Sequence, residues 1–136
     1  MKKVDHIGIA VTNVDEAIHY YIHTHGLTHL GIEEVENQYV RVAFIDAGNI
    51  KLELLEPIGG MGPIQTFLEK RGEGIHHIAF DVEGIRQRME ELRTAGVQLL
   101  GDEPKTGAGG AEVMFLHPKS SFGVLYELCD KTGKGE

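Results

Sequence analysis

Residues 4–11 read Val-Asp-His-Ile-Gly-Ile-Ala-Val, and residues 75–82 read Ile-His-His-Ile-Ala-Phe-Asp-Val. Each is short, alternating and rich in β-branched residues, the signature of a strand. Neighbouring side chains of a strand point to opposite faces, so the adjacent His76 and His77 cannot share one role. The segments C-terminal to the two stretches are also alike. After the first, Thr12 or Asn13 can cap a helix over residues 14–25, whose apolar positions Val14, Ala17, Ile18, Tyr21 and Ile22 recur at helical spacing and which Gly26 ends. Strand-like runs then cover residues 27–36, 39–47 and 49–55, stopping at Glu56-Pro57. After the second come a helix over 84–95 with Ile85, Met89 and Leu92 on one face, Gly96, and the runs VQLLG (97–101), AEVMFLHP (111–118) and GVLYELCD (123–130).

The chain is therefore a βαβββ unit used twice. Module 4–56 and module 75–130 are joined by linker 57–74, which carries a short helix at Pro63 to Arg71, within one domain of residues 1–136. The expected class is α+β, two paired modules forming a curved mixed sheet. Local text supports the duplication: KLELLEP against VLYELCD, and AFIDAGN against MFLHPKSSFG. It also fixes equivalences. His6 matches His77, Glu53 matches Glu127, and His76 takes the register of Asp5, facing away from His77.

Each half thus offers a His on its first strand and a Glu on its last. Paired and curved, the modules bring these four into one concavity. Two imidazoles and two carboxylates suit a borderline divalent ion, and the set lacks the thiolates of a closed structural zinc site. The competing reading puts Glu53 and Glu127 on the solvated face of edge strands, with Leu52, Leu54, Val124 and Tyr126 inward; one strand alone allows either parity. A carboxylate among apolar neighbours is costly unless paired, and its recurrence with a His in both halves favours metal. His19 and His23 have the i, i+4 spacing of a helical pair but no carboxylates at matching positions, so they, His25 and His29 read as surface. His117, before Pro118, ends a strand or lines a loop.

Composition bounds the rest. The 136 residues are 41% apolar and 25% charged, ordinary for a globular domain. Thirteen basic against twenty-one acidic residues, intermixed, give a net charge of −8 and disfavour nucleic acid. The lone Cys129 has no intrachain partner, no signal peptide is evident, and no apolar run approaches the ~20 residues that cross a bilayer, so a cytoplasmic setting without membrane contact is expected. The polar tail from Asp130 to Glu136 is expected to fray.

The stretches VDHIGIAV, GNIKLELLEPIG, GEGIHHIAF, GVQLLGDEPKTGAGG and VMFLHPKSSFGVLYEL, in this order over residues 4–130, resemble the vicinal oxygen chelate (glyoxalase/bleomycin resistance/dioxygenase) superfamily and, within it, the methylmalonyl-CoA epimerases. The loop DEPKTGAGG followed by FLHPK and GVLYEL is more specific to epimerases than the spaced His and Glu. The resemblance implies metal ligands at His6, Glu53, His77 and Glu127, with Gln also used by relatives at the position of Glu53. It implies one divalent ion per chain (Co, Zn, Ni or Mn), an acyl-CoA substrate, a homodimer, and Glu127 as the acid/base group. A second glutamate proposed in some epimerases falls here on Val42. The adjacent Arg41 points the other way and, being always protonated, makes a poor base. Lys105 and Lys119 are the candidates for a CoA phosphate, Lys105 preferred. Rival readings are a glyoxalase I-type lactoylthiol lyase and a non-catalytic ligand-binding member that need not hold metal.

Overall fold

The computed structural model describes residues 3 to 132; of the tail expected to fray only residues 130–132 lie within them, and there Asp130 is instead buried at the end of the last strand. The strands are β1 (Lys3–Ala10), β2 (Thr28–Val35), β3 (Val40–Asp46), β4 (Lys51–Pro57), β5 (Gly74–Asp81), β6 (Lys105–Thr106), β7 (Glu112–Leu116) and β8 (Tyr126–Asp130). The α-helices are α1 (Val14–His19), α2 (Pro63–Arg71) and α3 (Ile85–Thr94). Among the described residues no helix is long and apolar enough to cross a membrane. Two compact units result, one of His6–His76 and the other of His77 onward together with the start of β1.

In the first unit the strand order is β2-β3-β4-β1, antiparallel except for the parallel pair β4 and β1. Asn13 caps α1, its side chain accepting from the Glu16 N–H at 3.0 Å. The helical stretch continues through a π-helical turn, Tyr20–Thr24, to Gly26, whose φ of 69° suits a residue without Cβ. Val14, Ala17, Ile18, Tyr21 and Ile22 pack on Ala43, Ile45 and Leu54, the alternate residues of β3 and β4. One face of this sheet is thus the helix-covered core, and the other carries His6 and Glu53.

The second unit repeats the plan with β5-β8-β7-β6, β5 and β8 parallel. Ile85, Met89 and Leu92 of α3 bury against Met114, Leu116 and Leu128. Register matches between the units: Ile7 and Gly8 pair with Leu52 and Glu53, as Ile78 and Ala79 pair with Tyr126 and Glu127. The chain leaves each first strand alike, the Val11 N–H donating to Leu55 O and the Val82 N–H to Cys129 O.

A device that the repeat did not announce holds each helix to its sheet. The Val14 N–H donates to the Glu56 carboxylate at 3.1 Å, and the Ile85 N–H to the Asp130 carboxylate at 3.0 Å. Both acids stand three residues beyond Glu53 and Glu127, satisfying a first-turn amide that the helix cannot. Burial pushes the Asp130 carboxyl up, but donors from Thr132, Ile85 and Gly84 outweigh it and hold the group below its ordinary value. A carboxyl depressed on folding stabilises the protein above its unfolded pKa, and that contribution fades as pH falls through the lower folded value. Asp130→Ala is therefore expected to lose about 1–2 kcal/mol at pH 7 in urea unfolding, with the gap to the wild type closing below about pH 4.

Two expectations are corrected. The helix over 14–25 is α-helical only to His19 and π-helical beyond it. Residues 97–101 form no strand: Leu99 makes only an isolated bridge to Leu116, and the Gln98 N–H is taken by the Ser120 hydroxyl. Pro104, which has no N–H for a ladder, follows at once. The strand paired with β7 is instead the two-residue β6, in a stretch whose sequence reads as a loop.

Candidate metal and acid/base site

In the first unit β1 and β4 run parallel with Gly8 opposite Glu53 and His6 opposite Lys51. Partners across a ladder share a face, so His6 and Glu53 share one, and Gly8 puts no side chain between them. The Nδ1 of His6 lies 3.3 Å from Oε2 of Glu53. The same register in the second unit sets Ala79 opposite Glu127 and brings Nε2 of His77 to 3.5 Å from Oε1 of Glu127. Phe115, opposite Glu127 on β7, stands edge-on to the His77 ring at 5.4 Å, and Phe44 occupies the matching place opposite Glu53.

All four groups are buried: His6 is 3% exposed, Glu53 7%, His77 5% and Glu127 5%. The edge-strand reading of the glutamates fails. β4 lies between β3 and β1, β8 lies between β5 and β7, and Glu53 is buried although its neighbour Leu54 fills the helix-side core.

The pair distances fit a particular use. A charge-assisted N–H···O bond closes to about 2.7–2.9 Å. Two donor atoms each about 2.1 Å from a common ion stand roughly 3.0 Å apart at an octahedral right angle and roughly 3.4 Å apart at a tetrahedral one. The two separations match this ligand spacing better than they match a tight ion pair. The donors are also of the type that borderline divalent ions take.

The remaining candidates are elsewhere. His76, half-buried, stands edge-on to Phe67 of α2 at 5.1 Å, in the other unit from His77. His19 and His23 are exposed with ring centroids 4.2 Å apart. Lys105 is exposed on β6 opposite Val113, and the Lys119 N–H donates to Nδ1 of His117 at 3.0 Å. Val42 is 1% exposed on the same face as Glu53, facing Leu55 across the ladder. Two buried charges among the described residues went unread in the sequence: Asp130, and Asp5, which pairs with the Lys131 ammonium. That bond to Asp5, more than any other influence, raises the Lys131 pKa.

A family model described as the glyoxalase/bleomycin resistance protein/dioxygenase superfamily matches residues 5–115. The chain belongs to this superfamily. Its relatives include an uncharacterized protein of Bacillus subtilis, 44% identical over 98% of this chain and 95% of that protein. The ethylmalonyl-CoA/methylmalonyl-CoA epimerase of Cereibacter sphaeroides is 42% identical over 93% of this chain and 96% of its own length. A solved methylmalonyl-CoA epimerase in complex with methylmalonyl-CoA and ammonium shares 39% identity, covers 94% of this chain and 93% of its own, and superposes with a TM-score of 0.88. As a superfamily member the chain shows the α+β class with mixed pairing that the repeat predicted.

Proposed function

We propose that this protein is an isomerase that interconverts the (2R) and (2S) epimers of methylmalonyl-CoA. The observation that carries the reading is the doubled, buried His–Glu pair at ion-ligand spacing in a chain similar along its length to named epimerases. In this reading the fold is one domain of two modules, 4–56 and 75–130, and His6, Glu53, His77 and Glu127 hold one divalent ion of the Co, Zn, Ni or Mn type. When bound, such an ion supplies Lewis acidity toward the substrate's thioester and carboxylate oxygens, favouring the charge of the enolate.

The rest is work for side chains. The carbon that inverts carries a hydrogen between a thioester and a carboxylate, so removing its proton gives a planar, delocalised anion. Glu127 takes that proton on a carboxylate oxygen, and the low exposure of the site keeps bulk water from competing. Return of a proton to the opposite face completes inversion. Arg41 is unsuited to either step, its guanidinium lying 3.4 Å from Glu34 and 3.5 Å from Glu56. Lys105 is the proposed contact for a CoA phosphate. Lys105→Ala is expected to raise KM for the CoA ester severalfold with kcat little changed, and an unaltered KM removes it from the CoA site.

The deciding assay sets racemisation of methylmalonyl-CoA against isomerisation of thiol–methylglyoxal adducts by the same metal-loaded protein. Turnover of the first supports the reading, and turnover of the adducts alone makes the protein a lactoylthiol lyase. A homodimer, the assembly expected here, is tested by sedimentation equilibrium.

A further inference from the structure

Helix α1 and the turn after it carry a histidine pair that the buried His–Glu framework leaves unused. From Val14 to Thr24 exposure follows a period of four: Asp15 and Glu16, His19 and Tyr20, and His23 and Thr24 are exposed, while Val14, Ala17, Ile18, Tyr21 and Ile22 turn to the sheet. A uniform α-helix has 3.6 residues per turn, so positions four apart drift by about 40° around its axis. The turn Tyr20–Thr24 is π-helical, wider than an α turn, and takes up that drift. His23 is thereby stacked over His19, and turns of this kind recur at functional sites.

The two imidazoles are within reach of one ion. Their ring centroids are 4.2 Å apart and their planes are inclined by 34°. Both residues are exposed, and among the described residues each ring has the other as its contact, with no hydrogen bond or ion pair occupying a ring nitrogen. Two imidazoles bound through nitrogens about 2.1 Å from a common ion place their centroids about 4.6 Å apart at a right angle and about 5.3 Å apart at a tetrahedral one. The observed separation is close to the first value, which a small side-chain rotation reaches, and far from the second. Nitrogen donors at right angles suit tetragonal Cu²⁺ and Ni²⁺, ions that stand above Co²⁺ in the divalent affinity series. The net charge of −8, with Asp15 and Glu16 one turn before His19, favours the approach of a cation.

We propose that His19 and His23 form a second metal site, a bidentate imidazole chelate on the exposed side of α1 that takes Cu²⁺ or Ni²⁺ and leaves the ion's other positions to water or an exogenous donor. The pair lies wholly within the unit His6–His76 and does not depend on the epimerase reading. Its place on the surface makes it separable from the buried ligands. An ion fixed to a solid matrix can reach His19 and His23, but not His6, Glu53, His77 or Glu127, each 7% exposed or less. With two protein donors the chelate holds an ion less tightly than a larger donor set does. Co²⁺ or Zn²⁺ just sufficient to load the buried ligands therefore does not fill it.

The test passes the untagged full chain over immobilised Ni²⁺. The wild type is expected to be retained until imidazole is applied. His19→Ala and His23→Ala, each leaving one arm of the chelate, are expected to pass unretained, whereas His25→Ala and His29→Ala are expected to be retained as the wild type is. In equilibrium dialysis against Ni²⁺ the wild type is expected to bind one ion per chain more than His19→Ala or His23→Ala, whose affinity at this site falls at least about tenfold. Thermal midpoints of all four variants without Ni²⁺ are expected to match the wild type, which separates loss of the chelate from loss of the fold. A wild type that passes unretained overturns the proposal. So does retention of both His19→Ala and His23→Ala, or an equal loss in His25→Ala or His29→Ala; each of these results leaves the epimerase reading standing.

Discussion

Glu127→Gln is expected to keep its metal and lose its chemistry. The amide retains an oxygen donor on β8 in the register that places Glu127 by His77, so metal content is expected to stay near that of the wild type. It cannot accept the substrate proton. Inversion, and exchange at the carbon of the epimer whose proton faces Glu127, are therefore expected to fall together, by about 100- to 10,000-fold, with KM for the CoA ester little altered. Glu127→Ala removes the donor as well and is expected to lose metal and turnover at once. Deuterium wash-in measured beside metal content separates the two variants. Wild-type exchange of both epimers in a Gln variant that still holds metal removes Glu127 from the proton-transfer step.

The second large effect concerns the adjacent histidines. An ion that binds the folded state alone stabilises it by about 2.7 kcal/mol at a free concentration 100 times its Kd. Adding Co²⁺ or Zn²⁺ to chelator-treated protein is expected to raise its thermal midpoint accordingly and to restore turnover. His77→Ala is expected to abolish both responses. His76→Ala, which removes an edge-on contact with Phe67, is expected to preserve them. The readout is the metal-dependent shift, because His77→Ala also leaves the buried Glu127 without its neighbour and lowers the baseline. A metal response lost on removing His76 and kept on removing His77 contradicts the register.

The duplication made the helices, the long strands and the equivalence of His6 with His77 legible, because amphipathic period and spacing survive in both copies. Two things were not. Residues 97–101 have strand composition, and the Leu100 N–H to Phe115 O and the His117 N–H to Gln98 O bridge Leu99 to Leu116, but the Gln98 N–H turns to the Ser120 hydroxyl and the pairing extends no further, a tertiary outcome invisible to local pattern. Glu56 and Asp130 look like strand-end acids, and only the folded chain shows each accepting from the first amide of a helix 42 or 45 residues away. Their shared offset from Glu53 and Glu127 was a signal that could have found them.

The central claim, that a doubled His–Glu framework serves proton transfer at a carbon beside a thioester, is tested most directly by one incubation. The metal-loaded protein is mixed with a single epimer of methylmalonyl-CoA in D₂O, and deuterium at the substrate carbon and the opposite epimer are followed together. Both are expected to appear, chelation is expected to stop both, and restoring the ion to return both. A substrate recovered undeuterated and uninverted from fully loaded protein contradicts it.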